Sequence, residues 1–190
     1  MKRISVILTV LLIGSSFSFT PAQHTQKLLQ QDNIEAVKWL SWEEAMALSQ
    51  KEKKKILLNV YTEWCGWCKR MDKATFQEPN LARYINDHFY PVKFDAEQRA
   101  EMEYKGKTYK YVKNGQRGYH ELAAELLKGR LSFPTVVFLD EDMDVIQSIV
   151  GYKTPQQFER IATYFAGGHY KKTPWSTYQA AYRPVLLSDE

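Results

Sequence analysis

The sequence predicts an α/β domain in which a central mixed sheet is flanked by helices. Three observations carry that expectation. Short aliphatic runs alternate with segments whose apolar residues recur at helical spacing. Two helix starts are marked by capping residues, and the only two cysteines of the 190-residue chain, Cys65 and Cys68, sit where an apolar strand gives way to a helix.

The N-terminus reads as a cleavable signal peptide over residues 1–22. Met1-Lys2-Arg3 is basic, Ile4 to Ile13 is apolar apart from Ser5 and Thr9, and Thr20-Pro21-Ala22 supplies small residues for cleavage. That apolar core is shorter than the roughly 20 residues a bilayer span requires, and no later run approaches it, so no membrane span is expected once the signal is removed. The expected location is outside the cytosol, in the periplasm, where disulfides persist. Residues 23–33 are polar and glutamine-rich, as a flexible leader would be.

Ile34 to Leu40 is an apolar-weighted strand candidate. Ser41-Trp42-Glu43-Glu44 fits a capping box and starts a helix over Trp42 to about Lys51. Ile56 to Tyr61 reads as a buried strand, Lys69 to Phe76 as a helix, Pro79 to about His88 as a second helix, and Pro91 to Asp95 as a strand. Further on, Tyr104-Lys105-Gly106-Lys107 and Asn114-Gly115 mark turns between short strands. His120 to Lys128 is expected to be helical, with Leu122, Ala123, Leu126 and Leu127 inward. Pro134 to Leu139 and Val145 to Val150 flank turn residues and form an antiparallel hairpin. Thr154-Pro155-Gln156-Gln157 then starts a helix whose Phe158, Ile161, Ala162 and Phe165 make one apolar stripe, ended by Gly167-Gly168. Thr173-Pro174-Trp175 starts a short helix through Tyr182.

Two thiols three residues apart at a helix start can make and break a disulfide. Unpaired backbone N–H groups there favour the thiolate of Cys65, and Cys68, one turn on, can attack a mixed disulfide formed at Cys65. The rival chemistries for a CxxC are weaker. A structural zinc needs four ligands, yet there is no second cysteine pair, and His24, His88, His120 and His169 are scattered singly, so no metal is expected. A purely structural bridge closing so small a loop removes little unfolded-state entropy.

Composition excludes other classes. The formal charge of +4 falls to +2 when Lys2 and Arg3 leave with the signal, since residues 1–22 hold no acid, and no concentrated basic stripe offers a nucleic-acid surface. No G-x-G-x-x-G or P-loop run suggests a bound nicotinamide, flavin or nucleotide. With 44% hydrophobic residues, the chain can build one real core.

Ile56-Leu57-Leu58-Asn59-Val60-Tyr61-Thr62-Glu63-Trp64-Cys65-Gly66-Trp67-Cys68-Lys69, with Phe133-Pro134-Thr135-Val136-Val137-Phe138-Leu139-Asp140 and Gly151, resembles the secreted bacterial thioredoxin-like proteins. The resemblance spans roughly residues 34–168. It implies a thioredoxin fold with an insertion at about 100–130, before the strand that begins at a cis-proline, and leaves 169–190 as a C-terminal tail. It also implies that Cys65 attacks, Cys68 resolves, Pro134 is the cis-proline facing the site, and the backbone of Phe133 pairs with an extended substrate. Trp64 and Trp67 would contribute to substrate binding, although Trp67, standing where thioredoxin has proline, can equally shield the disulfide. The tyrosines of the insertion, Tyr104, Tyr109, Tyr111 and Tyr119, either recognise a partner polypeptide or pack the insertion onto the domain.

One departure bears on proton transfer. Thioredoxins carry a buried aspartate six residues before the first cysteine, and here that position is Asn59, which cannot take a proton. Glu63, a nearby carboxylate, and Lys93, at the position of the lysine that accompanies the missing aspartate, join Asn59 as candidates for tuning the thiols. The resemblance implies an exported thiol–disulfide oxidoreductase acting on protein thiols and disulfides. Its Trp-Cys-Gly-x-Cys-Lys segment resembles the reducing members, which implies recharging by a membrane electron-transfer partner and no cofactor beyond the Cys65–Cys68 disulfide. The competing readings are a disulfide oxidase or isomerase, and a binding or chaperone-like module with permanently bridged cysteines.

Overall fold

The computed structural model describes residues 36–187. The signal peptide over 1–22 and the leader over 23–33, with His24, lie outside the described residues. In chain order the elements are α1 (Trp42–Lys51), β1 (Lys55–Tyr61), α2 (Gly66–Ala74), α3 (Pro79–His88), β2 (Phe89–Asp95), β3 (Met102–Tyr104), β4 (Lys107–Tyr109), β5 (Tyr111–Asn114), β6 (Arg117–His120), α4 (Glu121–Leu126), β7 (Thr135–Leu139), β8 (Val145–Val150), α5 (Pro155–Ala166) and, after a 3₁₀ turn at His169–Lys171, α6 (Trp175–Ala181).

β1 organises the rest. Ile56, Leu57, Leu58 and Val60 are fully buried, as a strand covered on both faces requires. It pairs in parallel with β2 and antiparallel with β7, and β7 pairs antiparallel with β8, giving a mixed sheet of order β2-β1-β7-β8. Alternation along β1 sends Ile56, Leu58 and Val60 to one core, shared with Trp42 and Ala45 of α1 and Leu122, Ala123 and Leu126 of α4. Leu57 points to the opposite core, with Met71 of α2, Leu81 and Ile85 of α3, and Phe158, Ile161 and Phe165 of α5. Helices therefore cover both faces of the mixed sheet, which is the thioredoxin fold.

Local signals place most helix ends. Ser41 and Thr154 both close capping boxes, with Glu44 and Gln157 as the reciprocal partners. α2 starts earlier than the expected Lys69, because Cys65 itself serves as N-cap and its sulfur accepts the Cys68 N–H at 3.1 Å. Of the strand expected over 34–40, the described residues 36–40 show one parallel bridge, between Leu40 and Val92. Leu40 donates to the Pro91 carbonyl and accepts from the Lys93 N–H. Extending that ladder back to Lys38 would need an N–H from Pro91, which proline lacks, and the Lys38 N–H bonds the Asn86 side chain instead.

The insertion consists of the hairpins β3–β4 and β5–β6 followed by α4. Tyr109 is buried, and the Tyr104 hydroxyl donates to the Met143 carbonyl at 2.7 Å, so these two pack the insertion down. Tyr111 lies across Gly118, where any Cβ would come within 2.3 Å of its hydroxyl oxygen. His120 ties the insertion to the sheet: its N–H donates to the Ala96 carbonyl at 2.7 Å, and its buried ring packs edge-on against Phe94. At the other end of the chain, the buried Glu159 carboxylate accepts from the Tyr182 hydroxyl at 2.6 Å and from the Val185 and Leu186 N–H groups at 2.7 and 2.9 Å. That clamp fastens the segment after α6 to α5, and burial, then Glu159, pushes the Tyr182 phenol pKa up. Among the described residues, no helix is long and apolar enough to cross a membrane.

Candidate active site

Cys65 and Cys68 are joined in a disulfide at the start of α2. Cys65 is 5% and Cys68 1% exposed, so the reactive edge is small, yet it lies between two side chains that are mostly in water, Trp64 at 53% and Trp67 at 56%. The first-turn N–H groups of a helix carry partial positive charge, an environment that favours a thiolate when the bridge is open.

Each tryptophan is held by neighbours from elsewhere in the chain. The Trp64 indole N–H donates to Glu97 at 3.0 Å, its ring meets Phe133 edge-on at 6.1 Å, and the Arg117 guanidinium lies over it at 4.8 Å. Trp67 packs on Tyr152 at 5.5 Å, and the Arg70 guanidinium sits 5.2 Å from one ring and 5.5 Å from the other. Tyr152 reaches this position because Gly151, at φ +83°, turns the chain after β8 and donates its N–H to the Pro134 carbonyl at 2.8 Å.

The Phe133–Pro134 peptide bond is cis. Neither the N–H nor the C=O of Phe133 has a hydrogen-bond partner among the described residues, although both lie just before β7. An unpaired donor and acceptor at the start of a strand are what an incoming strand needs.

Beneath the disulfide is a polar cluster that the sequence reading only partly identified. Asn59 is 1% exposed and lies on the same face of β1 as Leu57, pointing toward α2. Its Nδ2 donates to Asp72 Oδ1 at 3.3 Å, while Lys93, its direct partner on β2, donates to Asp72 Oδ2 at 2.6 Å and lies 4.8 Å from the Tyr61 ring. The carboxylate joining Asn59 and Lys93 is therefore Asp72. It stands four residues after Cys68 on α2, one turn along the same face. That i, i+4 spacing was readable in the sequence, but a search confined to residues before the cysteines passes over it. Glu63 is exposed and faces elsewhere: burial, then Asp95 and Glu63, push the Tyr61 phenol pKa up to about 12.

Two polar atoms in this region, Asn59 Oδ1 and Thr62 Oγ1, are buried without a partner. Among the described residues, no group of three or more His, Cys, Asp or Glu side chains could hold a metal ion. Arg70 and Tyr152 against Trp67, Arg117 and Glu97 against Trp64, and Asp72 against Asn59 and Lys93 surround the disulfide and were not among the residues expected from sequence, because the fold or a helical turn, not the two signature segments, brings them there.

Comparison with known proteins agrees with this architecture. The family described as "Thioredox_DsbH: Protein of unknown function, DUF255" matches residues 21–164. A solved structure titled "DsbH Oxidoreductase" superposes with a TM-score of 0.51 at 21% identity, covering 73% of this chain and 91% of that one. The uncharacterized protein B0495.5 of Caenorhabditis elegans is 27% identical over 120 residues, which are 63% of this chain and 16% of that protein. The thiol:disulfide interchange protein DsbD of Vibrio vulnificus is 30% identical over 71 residues, 37% of this chain and 10% of that protein. The chain thus spans only a small part of the length of these two relatives.

Proposed function

The chain belongs to the Thioredox_DsbH family of thioredoxin-fold proteins, and from that membership we propose that it is an exported thiol–disulfide oxidoreductase that reduces protein disulfides through Cys65 and Cys68. The observation that carries this reading is the disulfide itself. It lies at a helix N-terminus, between two exposed tryptophans, in a site that also holds the cis Phe133–Pro134 bond and its unpaired backbone. A bridge serving only as a staple has no use for such surroundings.

In the reducing direction the Cys65 thiolate attacks one sulfur of a substrate disulfide. A Cys65–substrate bond forms, and the other substrate sulfur leaves as a thiol after taking a proton. Cys68 then gives up its proton and attacks Cys65, which forms the Cys65–Cys68 bond and releases the second substrate thiol. Two electrons pass to the substrate. Asp72, one turn beyond Cys68 and fixed by Asn59 and Lys93, is the carboxylate best sited to take the Cys68 proton. The oxidised protein must be recharged with two electrons, a role for a membrane electron-transfer partner. Export rests on the basic and apolar N-terminal segment.

The test separates the thiols. Cys68→Ser is expected to trap mixed disulfides with substrate proteins, visible on non-reducing gels, while Cys65→Ser traps few. Equal trapping by both variants, or by neither, overturns the assignment. Equilibration with glutathione should place the couple nearer the thioredoxin value of about −270 mV than the strong-oxidant value of about −120 mV, and a value above about −150 mV would make the protein an oxidase.

A further inference from the structure

The β5–β6 hairpin is not needed to complete the sheet, yet its Arg117 reaches Trp64, the residue before Cys65. Between it and the domain lies a groove of about 210 Å³, floored by Ala96, Leu131 and Phe133, walled on the disulfide side by Trp64 and on the hairpin side by Arg117 and Tyr119. The lining is mostly apolar and aromatic, and Trp64 and Leu131 keep 53% and 37% of their surface in water. The Arg117 guanidinium makes no hydrogen bond or ion pair among the described residues and lies over the Trp64 ring at 4.8 Å. The indole is fixed from its other edge by the bond to Glu97. The groove is continuous with the unpaired backbone of Phe133, so an extended polypeptide bound there would carry one side chain over it.

We infer that this hairpin is a specificity wall, and that Arg117 selects protein substrates with an aromatic side chain beside the reacting cysteine. The inference rests on the exchange reading above and names its substrate class. A flat ring entering the groove packs on the Phe133 ring and the edge of Trp64 and meets the outer side of the Arg117 guanidinium, whose inner side lies on Trp64, so it gains apolar burial together with a cation–π contact. A small aliphatic side chain gains little of either. Glutathione disulfide brings no ring.

The experiment uses two peptides that differ only in Phe or Ala next to the cysteine. As disulfides, they measure kcat/KM for reduction. With serine in place of cysteine, they measure binding without chemistry, by the fluorescence of the exposed tryptophans or by calorimetry. The Phe peptide is expected to be favoured about tenfold in both measurements, and Arg117→Ala should reduce that preference to within about twofold. The ratio between peptides is the readout, because a general loss of structure would slow both alike. Equal affinity for the two serine peptides, or a preference that survives Arg117→Ala, overturns the wall, whatever the thiols do. Failure of the reduced protein to react with glutathione disulfide would instead overturn the exchange reading, and the binding ratio would still decide the groove.

Discussion

At the scale of residues, the informative exchange is between Asn59 and Asp72. A carboxylate on β1 at position 59 would sit within a buried row and would need a partner there. Asn59 instead supplies an amide donor to a carboxylate that approaches from α2, and Lys93 supplies the balancing cation. Both members of the Lys93–Asp72 pair keep some exposure, 30% and 23% of the side chain, so the pair is worth about 1 kcal/mol of stability at most. The proposed role of Asp72 as acceptor of the Cys68 proton predicts a kinetic effect instead. Asp72→Asn is expected to slow the resolving step about 100-fold, the lower end for loss of a general base, with mixed disulfide accumulating while the urea midpoint hardly moves. Stopped-flow oxidation of the reduced protein checks this. An unchanged rate would remove Asp72 from the proton path. Asn59→Asp sharpens the test, because it sets two carboxylates about 3.3 Å apart, where they cannot both ionise freely, so the pH at which resolution becomes fast should rise.

At the scale of elements, local chemistry decided what could be read in advance. Helices opened by Ser41 and Thr154 were legible because a capping box lies within four residues, and β1 was legible because its aliphatic run is nearly unbroken. The strand expected before Ser41 failed on a long-range fact, the missing N–H of Pro91 on the neighbouring strand. His120 is a similar case: from sequence it is a lone histidine at a helix start, whereas in the fold it is buried and its ring has two fixed roles. Nδ1 accepts the Leu122 N–H at 3.2 Å as N-cap of α4, and Nε2 donates to the Ala100 carbonyl at 2.9 Å. A charged ring would need a proton on Nδ1, which faces that N–H. Burial accordingly pulls the His120 pKa below the ordinary 6.5, opposed by the Ala100 carbonyl and the neighbouring Glu121. With the folded pKa lower than the unfolded one, the unfolded state binds more protons between the two values. Stability from His120 is therefore complete above about pH 6.5 and is lost as pH falls through the folded pKa, with a slope of at most about 1.4 kcal/mol per pH unit. Urea melts at pH 7.5 and 5.0 should show this loss, and His120→Asn, which keeps a capping side chain without a titrating ring, should show a smaller one. Equal losses in both proteins would discard the histidine as the cause.

For the whole molecule, the two signature segments were enough to expect the sheet, its two helical layers and the cysteine pair. The insertion over about 100–130 and the tail over 169–190 were expected as additions to that frame, but how they dock on it was not. Their contacts join residues far apart in sequence and leave no periodic trace: Arg117 meets Trp64, and Tyr182, Val185 and Leu186 converge on Glu159. The tail is held by polar bonds as well as by aromatic packing, since Tyr164 touches both Trp175 and Tyr178, and the Tyr178 hydroxyl donates to Thr163 at 3.0 Å. Three donors ending on one buried carboxylate oxygen make that atom the point at which the tail can be released. Glu159→Ala leaves a phenol and two N–H groups without an acceptor, at about 1–3 kcal/mol for each that stays dry. The cheaper outcome is that the segment after α6 swings into water and is hydrated there. The expected result is accordingly a loss of about 3 kcal/mol or less in a urea melt, accompanied by rapid proteolysis between residues 181 and 187 while the remainder resists cleavage. Glu159→Gln, which can still present one oxygen to the same three donors, should lose less and keep its tail protected. If Glu159→Ala is cleaved no faster than the parent protein, aromatic packing alone holds the tail, and the clamp has no role in keeping it docked.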